Sequence, residues 1–151
     1  MEMFEVPLSD WNRTHAKAGI LESPSDPRLS HVSADIPPDL LRLAMNMQST
    51  RDERRKYFDP HLFGEAGWDM LLATYIAHGR RYQLKVSDAC YESRVPVSTA
   101  LRWLEHIERA GLVERRQNTV DRRSLLVSIT REGIAKMNDY LRAAATTMSR
   151  V

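Results

Sequence analysis

Between Val86 and Thr130 the hydrophobic positions of this chain change from a helical period to a strand period. Apolar residues first recur every three or four positions, which predicts a short helix, a turn and a second helix from Pro96 to Gly111. From Leu125 to Ile129 a period of two follows, with Leu125, Val127 and Ile129 as the inward positions of a half-buried strand. The loop QNTVDRR joins this strand to the preceding one, so the pattern predicts two helices followed by a hairpin.

The second predicted helix has two chemically different faces. Pro96 suits its first position, where a missing N–H costs nothing, and Gly111 suits the left-handed residue that ends a helix. The predicted buried face consists of Val97, Ala100, Leu101, Leu104 and Ile107. The opposite face carries Ser98, Thr99, Arg102, His106 and Arg109. Hydroxyl and guanidinium donors on an exposed helix face suit contact with base edges in the major groove of DNA.

Positive charge is concentrated in the same part of the chain. The net charge of the whole chain is only +2, and residues 1–36 carry three basic against six acidic residues. Residues 85–131 carry nine basic against six acidic residues, as a phosphate-binding surface requires. Four arginines of the hairpin could equally form an ordinary solvated surface: Arg115, Arg116, Arg122 and Arg123.

Three motifs in this region resemble the winged helix-turn-helix of the multiple-antibiotic-resistance regulator (MarR) family. They are Ser98-Thr99 with Arg102, the run GLVERR at 111–116, and Asp121 and Arg123 followed by T-x-x-G at 130–133. The resemblance implies a mainly α fold with a small β-hairpin wing, and N- and C-terminal dimerisation helices. It also implies a homodimeric regulator of transcription, with double-stranded DNA and a second copy of the chain as partners.

The resemblance assigns roles to individual residues. The helix from Pro96 to Ala110 becomes the recognition helix, Arg123 enters the minor groove, and Asp121 orients the wing. Arg94 stands where the family usually has glycine, so either the turn differs or Arg94 faces phosphate. The expected base-reading residues are Ser98, Thr99, Arg102 and His106, the last of which could instead touch phosphate. The expected phosphate contacts are Arg94, Arg115, Arg116 and Arg122.

Helical patterns flank the central stretch. A helix is predicted from Pro37 onward, with Asp35 as its cap, and its charged stretch from Ser49 to Lys56 is expected to be solvated. Another helix is predicted from Glu65 to His78, and a C-terminal one after the cap Thr130. The narrow apolar stripe of the C-terminal helix predicts packing against another helix, and the first helix has a comparable stripe. The resemblance implies that these two helices interlock in a homodimer, with purely intramolecular packing as the alternative. The interface set is Leu40, Leu43, Met47, Ile134, Met137, Leu141, Ala144 and Met148.

The remaining sequence features narrow the class of protein. Residues 1–36 form a separate arm, either flexible or lying on the body, and residues 37–151 form the winged-helix domain. A lone cysteine, Cys90, fits a reducing compartment and is expected to be a buried, inert thiol rather than a redox sensor. No long apolar run indicates a membrane span. The histidines lack metal-ligand spacing, and no motif indicates catalysis or a cofactor.

The sequence therefore predicts a cytoplasmic, non-enzymatic, homodimeric repressor of the MarR type. Aromatic residues and methionines on the predicted helices could line a pocket for a small-molecule effector, although their helical spacing favours a core: Trp68, Tyr75, Trp103, Met45, Met47 and Met70. The alternative function is a winged-helix module whose basic face contacts an acidic protein. The hydroxyls beside Arg102 favour DNA, because a protein-binding helix more often displays aromatic anchors.

Overall fold

The computed structural model describes residues 35–59, 62 and 64–150. Its helices are α1 (Pro38–Arg54), α2 (Ala66–Gly79), α3 (Val86–Glu92), α4 (Val97–Arg109) and α5 (Arg131–Ser149). Its strands are β1 (Leu84–Lys85), β2 (Val113–Gln117) and β3 (Leu125–Ile129). The predicted arm falls outside the described residues except for Asp35 and Ile36. None of the described helices is long and apolar enough to cross a membrane.

The start of α1 is fastened to the other helices by polar side chains. Pro38 opens the helix, as predicted, but the N-cap is Pro37 and Asp35 lies two residues before it. The prediction that Asp35 caps the helix is therefore wrong. Its backbone carbonyl instead accepts a hydrogen bond from Asn138 Nδ2 at 2.9 Å. Asn138 Oδ1 accepts another from the buried Tyr75 hydroxyl at 2.7 Å, so this network joins α1, α2 and α5.

The hairpin is part of a three-stranded antiparallel sheet, within the described residues, in the order β1-β3-β2. Val113 pairs with Ile129 and Arg115 with Val127, which confirms the predicted hairpin. The short strand β1 was not predicted, and it places Leu84 opposite Val127. Strand β3 lies in the middle and is covered by α2 and α3. Leu126 is consequently buried and Leu125 exposed, which reverses the predicted alternation at these two positions.

The first apolar core lies between α1, α2 and α5. Four residues of the predicted dimer interface are buried in this core within one chain: Leu40, Ile134, Met137 and Leu141. We reassign them to the intramolecular core, because their burial requires no partner subunit. The other predicted interface residues keep exposed surface, with Leu43, Met47 and Ala144 half-buried and Met148 exposed.

The second core lies where α2 meets α3, α4 and the sheet. Met70 on α2 packs there with Leu104 and Ile107 of α4, and Cys90 of α3 is also buried. Tyr75, Met70 and Met45 are therefore core residues and do not line a pocket. Burial raises the pKa of the Cys90 thiol, as expected for an inert cysteine. Because α2 contributes to both cores, it is apolar around most of its circumference.

The charged end of α1 is more buried than the sequence pattern predicted. Arg51 and Arg55 both contact the carboxylate of Asp69 on α2, at 2.5 and 2.7 Å. Arg55 also bonds Asp52 at 2.6 Å, and Arg51 bonds Glu65 at 2.5 Å. The side chains of Arg51, Arg55, Asp52 and Asp69 are each less than one-fifth exposed. The expectation that residues 49–56 are simply solvated is therefore wrong for this part of the helix.

The end of α4, the start of β2 and the start of α5 meet at one backbone junction. Gly111 has φ +77°, the left-handed conformation predicted for the residue that ends this helix. Its carbonyl accepts a hydrogen bond from the Thr130 hydroxyl at 2.5 Å. Thr130 also caps α5 by accepting the Gly133 N–H, and its own N–H donates to the Leu112 carbonyl at 2.9 Å. The T-x-x-G motif thus fixes α5 against the turn that links α4 to the hairpin.

Candidate nucleic-acid interface

Helix α4 presents the polar face that the sequence predicted. It begins at Val97, with Pro96 as its N-cap rather than its first residue. Ala100, Leu104 and Ile107 hold it in the second core. The polar residues at the helical positions opposite this core are all exposed, namely Ser98, Thr99, Arg102, His106 and Arg109. The structure therefore brings all the predicted base-reading side chains together on one accessible helix face.

Two residues expected on the buried face of α4 are exposed. Val97 is 65% and Leu101 36% exposed, so the buried stripe is narrower than the apolar spacing predicted. Val97 and Leu101 line an open apolar groove of about 520 Å³ together with Tyr91 and Val95. Trp103 is also 42% exposed, and its ring lies 5.7 Å from that of His106.

The turn between α3 and α4 keeps the left-handed conformation although it lacks glycine. Arg94 has φ +56°, which costs a non-glycine residue about 1 kcal/mol. Its guanidinium lies 5.1 Å from the centre of the Tyr91 ring and 3.9 Å from a carboxylate oxygen of Asp52. The turn therefore has the shape that glycine would give it, and the Arg94 side chain interacts with its own chain.

The tip of the hairpin is ordered by Asn118, which sequence reasoning missed. Asn118 is buried, and its side-chain oxygen accepts the N–H groups of Val120 and Asp121. Its amide nitrogen donates to the Ser124 hydroxyl at 2.9 Å. Such side-chain contacts to nearby backbone groups are typical of turn-forming asparagine, and an asparagine inside a polar loop could have signalled this. Asn118 therefore fixes the loop that carries the predicted wing residues.

Asp121 supports the same loop. Its carboxylate accepts the backbone N–H of Arg123 at 3.1 Å. The Gln117 side chain also donates a hydrogen bond to the carbonyl of Arg122. Both contacts use backbone atoms, which leaves the guanidinium groups of Arg122 and Arg123 exposed. The backbone of the tip is thus held while its arginine side chains project from it.

The four hairpin arginines fall into two groups. Arg115 bonds Glu108 of α4 with two guanidinium nitrogens, at 2.7 and 3.1 Å. This hydrogen bond lowers the pKa of the Glu108 carboxyl, so the ion pair persists at neutral pH. Arg116, Arg122 and Arg123 are exposed, and none of them forms an ion pair with an acidic residue of the described chain. Arg115 thus braces β2 against α4, and the other three arginines remain available to a ligand.

No protein-family model and no curated protein matches this chain. Among solved structures, MepR of S. aureus in its DNA-binding conformation is 19% identical, with a TM-score of 0.47 over 70% of this chain and 76% of that chain. FabT of Streptococcus pneumoniae in complex with DNA is 21% identical, with a TM-score of 0.45 over 54% and 56%.

MarR is also similar, with 24% identity and a TM-score of 0.36 over 51% of this chain and 61% of that chain. The order of elements described above, a helix-turn-helix followed by a hairpin beside a third short strand, is that of a winged helix.

Proposed function

We propose that this protein is a homodimeric transcription regulator of the MarR type, which binds double-stranded DNA through α4 and the hairpin. The observation that carries the proposal is the distribution of arginines without ionic partners. Arg102 on α4 and Arg116, Arg122 and Arg123 on the hairpin are exposed and make no ion pair with any residue of the described chain. An accessible set of guanidinium groups beside hydroxyl donors is the chemistry that a nucleic acid requires.

The proposed complex uses the two elements differently. Helix α4 enters the major groove, where Ser98, Thr99, Arg102 and His106 face the base edges. The hairpin follows the backbone, with Arg116 and Arg122 at phosphates and Arg123 in the minor groove. We withdraw Arg115 and Arg94 from the phosphate-binding set, because Glu108 and Asp52 bind their guanidinium groups. In a dimer, two α4 helices about 34 Å apart would read successive major grooves.

Repression, and its relief by a small-molecule effector, come from the family resemblance alone. A reporter gene placed behind the protein's preferred DNA sequence tests the first. Expression of the protein should lower reporter output if it represses. A screen for compounds that restore output then tests for an effector.

A specific observation favours a second candidate function, that of a module that binds other proteins. Tyr91, Val97, Leu101 and Trp103 expose apolar surface on or beside α4, and exposed aromatic residues are common anchors in protein interfaces. The two functions differ in their response to salt. Binding through phosphates weakens steeply as salt rises, whereas an apolar protein contact does not.

Selection from a duplex library with a randomised centre tests the proposed function. We expect the protein to enrich a pseudo-palindrome with half-sites one helical turn apart. Affinity for this selected duplex should exceed that for random duplex by at least about 10³-fold. Failure to enrich any sequence, together with salt-insensitive binding to another protein, would favour the second candidate.

Arg102→Ala should reduce affinity for the selected duplex by about 1–3 kcal/mol and relax the preference at one position per half-site. The reason is that Arg102 lies at the centre of the exposed α4 face and can donate two hydrogen bonds to guanine. Binding to random duplex should change much less. Arg109→Ala, on the same helix, is the control for loss of one charge. Repeating the selection with both variants decides the matter, since an unchanged preferred sequence for Arg102→Ala would reject base reading.

Arg123→Ala should weaken binding to all duplexes nearly alike, by about 1–2 kcal/mol, because a minor-groove or phosphate contact carries little sequence information. The slope of log affinity against log salt should become shallower by about one unit. A salt titration of the variant against wild type measures both effects. Arg150→Ala, an exposed change of equal charge at the end of the described chain, should leave the slope unchanged. Equal slopes for Arg123→Ala and wild type would exclude the wing from the interface.

A further inference from the structure

The residue between α3 and α4 has a backbone conformation that its side chain does not favour. Arg94 has φ +56°, and glycine would adopt this conformation without steric cost. Backbone strain that persists in a folded protein is often compensated by interactions of the strained residue. The contacts of the Arg94 side chain therefore bear on why arginine occupies this position.

The Arg94 guanidinium links three elements. On one side it lies over the Tyr91 ring of α3, with 5.1 Å between Cζ and the ring centre, a cation–π distance. On the other side its Nη2 atom is 3.9 Å from Asp52 Oδ1, near the end of α1. The Arg94 side chain is 40% exposed and that of Asp52 is 19% exposed, so solvent screens this pair only in part.

Asp52 is itself held in place. The same Oδ1 atom accepts a hydrogen bond from Arg55 Nη1 at 2.6 Å. Arg55 in turn bonds Asp69 of α2 at 2.7 Å, and Asp69 also binds Arg51. The carboxylate that faces Arg94 thus belongs to a network that spans α1 and α2, which gives it a fixed position relative to the first core.

Side chains, rather than close backbone packing, connect α1 to the helix-turn-helix. Helix α1 packs mainly on α2 and α5. A cavity of about 110 Å³ lies between its charged end and the turn, lined by Arg51, Arg55, Ser93, Arg94 and Val95 among others. Apolar packing does not fill this space, and Arg94, which lines it, also contacts Asp52 of α1.

We infer that Arg94 is a positioning residue that ties the turn before α4 to α1 through Asp52, and so fixes the N-terminal end of the recognition helix, whose apolar side packs on α2 in the second core. The inference rests on the proposed function, since the position of this helix end matters for reading DNA. In a dimer, this position affects how the two α4 helices match the spacing of two half-sites. Arg94 then acts on DNA affinity without touching DNA.

Two substitutions test the tie from both ends. Arg94→Gly removes the side chain and also the backbone strain, so its Tm should equal or exceed that of wild type. Asp52→Asn removes the carboxylate and leaves Arg94 in place. Each should weaken binding to the duplex selected by wild type by about five- to tenfold. Asp52→Asn also removes the ion pair with Arg55, whereas Arg94→Gly does not. The double variant should be no weaker than the stronger single variant by more than about twofold, because both changes break the same contact between Arg94 and Asp52.

Asp139→Asn is the matched control. Asp139 forms an exposed ion pair with Arg142 on α5, and its loss alters net charge by the same amount as Asp52→Asn. A more positive protein binds DNA slightly better in general, so Asp139→Asn should bind equally well or more tightly. If Asp52→Asn weakens DNA binding and Asp139→Asn does not, the loss comes from the contact between Arg94 and Asp52 and not from the change in net charge.

A direct phosphate contact by Arg94 predicts a different set of results. Asp52→Asn would then release the guanidinium and strengthen binding, and Arg94→Gly would make the salt slope shallower by about 0.9. The tie predicts an unchanged slope for Arg94→Gly. Stronger or unchanged binding by Asp52→Asn, or a shallower slope for Arg94→Gly, overturns the inference. If wild type itself selects no sequence, the proposed function fails instead, so the two failures are distinguishable.

Discussion

Gly133→Ala should lower the free energy of unfolding by about 2–3 kcal/mol, although alanine is the better helix former. A Cβ atom at this position would lie 2.7 Å from Cγ1 of Ile129 and still closer to the carbonyl oxygen of Leu112. The second neighbour is backbone, so it cannot move aside as a flexible side chain would. The N-terminus of α5 must therefore shift away from the turn that joins α4 to the hairpin. Thermal unfolding should show a Tm lower by about 4–12 °C.

Gly64→Ala provides the control for this prediction. A Cβ atom at Gly64 meets nothing within 4 Å, so the change should alter stability by less than about 0.5 kcal/mol. Equal Tm values for the two variants would mean that α5 can move without cost. A second readout is DNA binding at a temperature where both variants are folded. Gly133→Ala should bind less tightly there, because displacement of Leu112 also tilts the hairpin relative to α4.

The parts of the fold that were predicted correctly depend on local signals. Three of these signals satisfy or omit backbone groups within a few residues. They are Gly111 in the left-handed conformation, Thr130 as the cap of α5, and the prolines at the start of α1. The polar face of α4 was predictable for the same reason. The helical period alone places these polar residues on one side of α4. How much of the opposite, apolar side is buried depends on the elements that pack against it.

The parts that were missed depend on contacts between distant segments. Strand β1 has two residues and exists as a strand only because β3 pairs with it. Leu126 is buried because helices cover β3, and the local period carries no information about that cover. Asp69 was not singled out from the sequence, yet it binds two arginines that lie 14 and 18 residues earlier.

The same limit applies to the candidate interface. Glu108 captures Arg115 only because α4 crosses β2 at a particular place, and Asp52 reaches Arg94 from more than 40 residues away. Sequence reasoning could count the arginines of the helix-turn-helix and hairpin but could not tell which of them have ionic partners. The arginines without ionic partners are the proposed DNA contacts. Arg94 and Arg115, which have such partners, instead connect the elements that present those contacts.

Leu141→Asp should lower the free energy of unfolding by about 4–5 kcal/mol and leave the chain largely unfolded. The reason is that Leu141 is completely buried within one chain, so a carboxylate there would have neither water nor an ionic partner. Loss of the dimer in this variant would therefore say nothing specific about the interface. Met148 is the informative position. It is 52% exposed near the end of α5, on the stripe that continues from Leu141, so Met148→Asp costs the isolated monomer little.

If two copies associate through the C-terminal part of α5 and the half-buried residues of α1, Met148→Asp places a charge in their interface and should shift the protein to monomer. Sedimentation equilibrium measures the change, and circular dichroism should show unchanged helix content. Ser149→Asp is the control, since it adds the same charge at the same helix end, where the dipole disfavours it equally. A folded Met148→Asp variant that sediments as a wild-type dimer would place the interface elsewhere, and the half-buried Leu43 and Met47 would become the next positions to test.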